Sequence, residues 1–276
     1  MNIKEIIKKQ KYIFHFNVST LEQILSYCQI TREKNVWLCL GASEKERNYL
    51  GSERLKKIID FEREKGAKVF LNADHCKSKE SAQEALFLGY DSITFDMSHF
   101  SFEENLRITK DFVEFAKEKN KDIFIEGELG NIKGKSEVIK ESIDIEEEDL
   151  TDPYKAKIFV EETKVDALAI SVGNLHGIST ITKPNLDFER IKKIKELTQT
   201  ILVLHGGSGI ASQDIKKSID CGINIVHINT ELRICWRETL EKVLQENPAS
   251  YSPYEILNQV VISLKNKALQ IIDFNF

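Results

Sequence analysis

Eight short apolar runs, rich in β-branched and aromatic residues, recur along this chain, and a segment with helical character precedes each one. The first four are YIFHFNV (12–18), VWLCLG (36–41), KVFLNAD (68–74) and SITFDMS (92–98). The others are DIFIEGEL (122–129), ALAISVG (167–173), ILVLHGG (201–207) and INIVHIN (223–229). Eight strand–helix alternations of this length predict a closed parallel barrel, the (β/α)8 or TIM architecture of the α/β class, over an open doubly wound sheet. The ILVL run carries no alternating polar residue, which suits a strand covered on both faces. No linker breaks the series, so residues 1–276 are expected to form a single domain. Beyond the last run, TELRICWRETLEKVLQEN and YSPYEILNQVVISLKNKALQII read as two extra amphipathic helices. The polar stretch 130–152 after the fifth strand is too long for an ordinary βα loop and is expected to be a lid or flap. Its acidic EEED run reads as a solvated face.

Composition excludes several kinds of partner. The 39 Lys and Arg against 44 Asp and Glu give a formal charge of −5, so no basic surplus points to nucleic acid or to an anionic membrane. No apolar run approaches the roughly 18 residues that a bilayer requires. The start, MNIKEIIKKQ, lacks the apolar core of a signal peptide, which makes the cytoplasm the expected location. Five scattered cysteines without a CxxC pair read as free thiols.

In a (β/α)8 barrel, chemistry comes from the carboxyl ends of the strands. Here strand three ends in Asp74-His75, strand four in Asp96 and Ser98, and strand five in Glu126 and Glu128. Strand six leads to Asn174 and His176-Gly177, strand seven to His205 and the glycine-rich Gly206–Gly209, strand eight to Asn229-Thr230. His75, His176 and His205 can therefore converge on one metal ion, and three imidazoles with an open fourth position suit catalytic zinc. The remaining histidines, His15, His99 and His227, read as packing or solvent-facing rather than as primary ligands. Glycines after His205 let backbone N–H groups approach an anion, as in phosphate-binding turns.

These residues carry a family resemblance across nearly the whole chain. FNV at 16–18, S-x5-Y-x-G at 43–51, DH at 74–75, DxSH at 96–99 and ExELG at 126–130 occur in order. TDPxxA at 151–156, GxxHG at 173–177, LHGGSGI at 204–210 and NTEL at 229–232 follow. The chain resembles the class II, zinc-dependent ketose-bisphosphate aldolases. By that resemblance the zinc ligands are His75, His176 and His205, with Glu128 binding the ion in an alternative position. Asp74 exchanges a proton with the aldehyde-forming hydroxyl. Asn17, Ser43, Gly177, Gly206, Gly207, Ser208, His227, Asn229 and Thr230 are expected around the substrate and the phosphate of dihydroxyacetone phosphate. The resemblance further implies a phosphorylated sugar as substrate, a monovalent cation near the phosphate, and a homodimer or homotetramer.

Three positions depart from the family pattern. The loop glutamate that handles the proton on the dihydroxyacetone carbon aligns with Ser136, and Glu137 next to it is the candidate substitute. In strand eight the family's lysine and substrate-contacting asparagine are replaced by Ile225 and His227. Near the C-terminus an arginine for the distal phosphate gives way to Tyr254, a neutral hydroxyl in place of a charged clamp. The expected function is thus reversible cleavage of a phosphorylated ketose other than fructose 1,6-bisphosphate. The alternative is a diverged barrel that keeps the metal site and binds without cleaving, or catalyses another enolisation.

Overall fold

The computed structural model describes residues 1–273. Eight strands close a parallel barrel: β1 (Ile13–Asn17), β2 (Leu38–Ser43), β3 (Val69–Cys76), β4 (Ser92–Phe95), β5 (Phe124–Leu129), β7 (Ala167–Ile170), β9 (Ile201–Leu204) and β10 (Ile223–Ile228). These are the eight runs read from the sequence. Two further strands, β6 (Gly134–Ile139) and β8 (His176–Ser179), form a small parallel ladder outside the barrel. Helices Thr230–Glu246 and Pro253–Asp273 follow the last strand, as expected. None of the described helices is long and apolar enough to cross a membrane.

Because side chains alternate across a strand, every second residue turns into the barrel. At the amino-terminal end these are Ile13, Cys39, Phe70, Phe124, Ala167, Val203 and Ile225, which pack as one apolar cluster. The helix Ile3–Gln10 closes that end with Ile3, Ile6 and Ile7. Its start is fixed by a capping box between Asn2 and Glu5. Two residues further along, the interior becomes polar on most strands, where His15, Asn72, Thr94, Glu126, His205 and His227 are all buried, while β2 and β7 carry Gly41 and Ala169 there. The next inward positions supply Asn17, Asp74, Asp96 and Glu128. The barrel is therefore apolar at one end and charged at the other.

The outer faces of the strands and the inner faces of the helices share a second, larger apolar core. Phe95 of β4 stacks on Phe112 of helix Phe102–Lys119 with ring centroids 4.2 Å apart, and both rings are fully buried. The stretch expected to be a lid is partly ordered by the β6–β8 ladder. Sequence periodicity concealed this ladder because β6 is largely exposed and carries no apolar alternation.

Phe112→Ala should cost about 3–5 kcal/mol by loss of buried surface and cavity formation. Urea unfolding followed by circular dichroism should show the midpoint falling with little change in slope. An unchanged midpoint would contradict the packing described.

Candidate active site

The geometry around His75 begins with its backbone. The register between β3 and β4 shifts between Ala73 and Cys76, and His75 takes a left-handed φ of 48°. A non-glycine residue is held there only when its surroundings over-determine it, at a cost of roughly 1–3 kcal/mol. The bulge turns the His75 ring across the barrel mouth, where it meets His176 and His205. Ring planes cross at 71° for His75 and His176, 73° for His75 and His205, and 87° for His176 and His205.

Each ring is anchored through one nitrogen, leaving the other directed inward. His75 Nδ1 bonds the Asp96 carboxylate at 3.1 Å. His205 Nε2 bonds Glu126 at 2.8 Å. His176 Nδ1 faces the Ile132 carbonyl at 3.2 Å, and its Nε2 is buried without a partner. His205 Nδ1 lies 3.1 Å from His75 Nε2. Three inward nitrogens backed by outer acceptors are the arrangement in which histidines hold a divalent metal. A second grouping, His75 with Asp96 and Glu128, shares the first ring, and Glu128 Oε2 makes no hydrogen bond.

The electrostatics agree with a bound cation. Burial pushes the His75 imidazole down, yet Asp74, Asp96 and Glu128 together outweigh it and take the pKa up to about 10. A proton there compensates charge that a metal ion could compensate instead. Burial, aided by His75, pushes His176 and His205 down to about 3, so both are neutral and able to ligate at neutral pH. Burial raises Glu126 and Glu128 to about 8, reinforced by Asp74 and Asp96 respectively. Burial also acts to raise Asp74, but the neighbouring histidines and the Asn17 amide hold it well below the usual carboxylate range.

A cavity of about 320 Å³ opens onto these rings. Of the residues singled out in the sequence as site candidates, Asn17, Ser43, Asp74, His75, Glu137, His176, Gly177, His205, Gly206, Ser208, His227, Asn229 and Thr230 line it, and Lys45, Glu46, Lys135, Ser136 and Arg233 complete the wall. Lys45, Glu46, Lys135 and Arg233 of this wall were not singled out in the sequence. Gly207 turns away, donating its N–H to the His227 carbonyl at 2.9 Å. Glu128 sits behind His75, with its Oε2 3.6 Å from that ring's Nδ1. Tyr254 is exposed and lines no part of the cavity, so within this chain it cannot take the place of a distal-phosphate arginine. Lys265 and Lys267 are paired with Glu33 and Glu231. Ser136 and Glu137 both reach the cavity, Glu137 from an exposed position on β6.

Sequence reasoning assigned no role to four side chains that organise this cavity. Glu46 accepts from Ser43 N and Oγ, both at 2.8 Å, and pairs with Arg233 at 2.5 Å. Arg233 also donates to the Ser136 carbonyl at 3.1 Å, tying β6 to the rim. Asp96 and Glu126 fix the rings of His75 and His205. Three of the four lie inside quoted motifs, and Arg233 directly follows NTEL; Ser43-x-x-Glu46 is a capping box that local pattern can show, whereas the other roles emerge from contacts between distant elements. Asn17 donates to Asp74 at 2.8 Å and orients it. Gly206 has a φ of 65°, and a Cβ there would lie 1.9 Å from the Leu175 carbonyl oxygen, so a side chain would break the turn.

Comparison with known proteins agrees with this geometry. Residues 2–275 match the family described as fructose-bisphosphate aldolase class-II. The chain is 33% identical over 237 residues to a sulfofructosephosphate aldolase of Alkalicoccus urumqiensis, covering 86% of this chain and 81% of the other. It is 33% identical over 277 residues to a fructose-bisphosphate aldolase of Helicobacter pylori, covering 91% and 88%. The crystal structure of the YdjI aldolase of Escherichia coli K12 superposes with a TM-score of 0.80 at 29% identity, covering 98% of this chain and 93% of that one. A TIM barrel with a histidine-lined mouth and a match over almost its full length, this chain belongs to the class-II fructose-bisphosphate aldolase family and is a metal-dependent aldolase.

Proposed function

We propose that the chain is a zinc-dependent aldolase that reversibly cleaves a phosphorylated ketose into dihydroxyacetone phosphate and an aldehyde. The observation that carries this reading is the convergence of three anchored imidazoles beside the buried Asp74 carboxylate. His75, His176 and His205 would hold the ion, with Glu128 available through the second grouping. When bound, zinc supplies a Lewis acid for the negative charge that develops on the ketone side as the carbon–carbon bond breaks.

The chain's own groups account for the proton transfers. Asp74 is held ionised and aimed by Asn17, and its Oδ1 makes no hydrogen bond, so it can accept the proton of the departing hydroxyl. Glu137 on the lid reaches the same cavity and would return a proton to the dihydroxyacetone carbon. The phosphate of that half fits the turn of Gly177, Gly206 and Ser208 at the N-terminus of helix Thr230–Glu246, where backbone dipoles favour an anion. Ser208 Oγ accepts from the N–H groups of Asn229 and Glu231, which holds this turn against the helix start.

The far end of the ketose is proposed to differ from a second phosphate. Tyr254 lies outside the cavity, Arg233 at the rim is paired with Glu46, and the lysines of the wall, Lys45 and Lys135, are point charges without the bidentate fork of an arginine. A charge-assisted bond to phosphate contributes about 1.5–3 kcal/mol. Loss of one such bond with the arginine clamp should lower discrimination for the distal phosphate by roughly tenfold to a hundredfold. The sulfonated far end named for the Alkalicoccus relative is one candidate to include in a substrate panel.

Changing His75, His176 or His205 singly to Ala should abolish bound zinc and cleavage while the barrel still folds. Metal analysis checks this, and stoichiometric zinc in the His176→Ala and His205→Ala proteins would overturn the assignment. Asp74→Ala should keep zinc and slow turnover by about 10² to 10⁴. Glu137→Ala should reduce proton exchange on dihydroxyacetone phosphate; unchanged exchange would remove Glu137 from the reaction. For the unmodified protein, kcat/KM should favour fructose 1-phosphate over fructose 1,6-bisphosphate. A clear preference for the bisphosphate would refute the substrate reading.

A further inference from the structure

Beneath the three splayed imidazoles lies a different arrangement of histidines. His15 of β1 and His227 of β10 sit side by side, with ring centroids 3.6 Å apart and planes only 6° from parallel. His227 stacks in turn on His205, at 3.9 Å and 26°. The outer end of this column is fixed, because the Asn72 amide donates to His15 Nε2 at 3.1 Å. Asn72 is itself held by Thr94 and Ser92. Space for the column comes from the neighbouring strand: a Cβ on Gly41 would lie 2.0 Å from His15 Nε2.

The nearby carboxylates raise the question of a second metal site, since His15, Asp74 and His227 each place one ligand atom within 4.8 Å of the others. Ring orientation decides against it. Imidazole lone pairs lie in the ring plane, so rings that share an ion splay, as His75, His176 and His205 do. Rings stacked 6° from parallel direct their lone pairs side by side, which a single ion at about 2.0–2.1 Å from both nitrogens cannot meet. The column is a packing support.

We propose that His15 is a positioning residue, which fixes the plane of His227 and hence the edge that His227 presents to substrate. That edge lies between Asp74, 3.7 Å from Nδ1, and Glu126, 3.9 Å from Nε2. His15 is 1% exposed and does not line the cavity, so it acts only through its neighbour. The proposal rests on the aldolase reading for its kinetic consequence and on ring geometry alone for its structural one.

The zinc-loaded protein is tested with His15→Ala, His15→Phe, Gly41→Ala and the His15→Ala/Gly41→Ala double variant. The assay uses whichever ketose phosphate the unmodified enzyme cleaves best. His15→Ala should retain one zinc per chain and lose about tenfold in kcat/KM, chiefly through KM, the scale of one lost ring stack. His15→Phe restores a flat ring and should recover most of the loss, whatever it costs in stability. Gly41→Ala should impair the enzyme by displacing His15, and should add nothing once His15 is Ala. Unchanged kcat/KM in His15→Ala, no recovery in His15→Phe, additive effects in the double variant, or a second zinc per chain would each overturn the proposal. Ring-proton NMR of His227 without substrate provides a readout independent of turnover. His15→Ala should shift those resonances, and unmoved resonances would overturn the proposal even if the aldolase reading stands. If the unmodified protein cleaves no ketose phosphate, the aldolase reading fails while the NMR comparison still decides the ring support.

Discussion

Charge buried inside the barrel is the constraint on which the rest of the structure depends. Asp74, Asp96, Glu126 and Glu128 lie within the upper half of the barrel, each at most 4% exposed. Carboxylates in such surroundings need partners or protons. Five imidazoles, His15, His75, His176, His205 and His227, share that space, and the carboxylates and rings fix one another's orientation. The apolar lower layer, from Ile13 to Ile225, allows the upper layer to be polar: it closes one end of the barrel so that water and ligands reach the charged groups from one side.

Order follows from this electrostatic crowding. Asn17 would be an ordinary polar strand terminus if it did not bond Asp74 and Glu46. Glu46, on the short helix Glu44–Leu50, would be an ordinary helix-start acid if it did not gather Ser43, Asn17 and Arg233. The bonds of Glu46 to Asn17 and Arg233, and of Asn17 to Asp74, connect elements distant in sequence, so the rim is held by cross-strand contacts in addition to the local cap of Ser43 on Glu46.

The barrel was legible because its strands are apolar, short and regularly spaced, and local pattern reports those properties directly. The ring of lining residues was legible for a related reason, since strand ends coincide with motif positions such as Asp74-His75 and His205-Gly206. What escaped was set by pairing between distant residues. The stacking of His15 on His227 escaped because, even with the first and last strands adjacent in a closed barrel, no local pattern reports the register that brings the two rings face to face. Gly41 read as a strand terminus, whereas its missing side chain makes room for His15. The β6–β8 ladder escaped because an exposed strand has no apolar alternation to announce it.

That ladder has a consequence for how the mouth responds to its contents. His176 opens β8, its backbone N–H is bonded to the Lys133 carbonyl at 2.8 Å, and its ring rests on the carbonyl of Ile132. The residues that hold His176 therefore lead directly into Lys135, Ser136 and Glu137 of the cavity wall. On the reading of His176 as a metal ligand, segment order and metal affinity become a single linked equilibrium. A substrate that settles the segment tightens the ion, and the ion settles the segment for the substrate by the same factor.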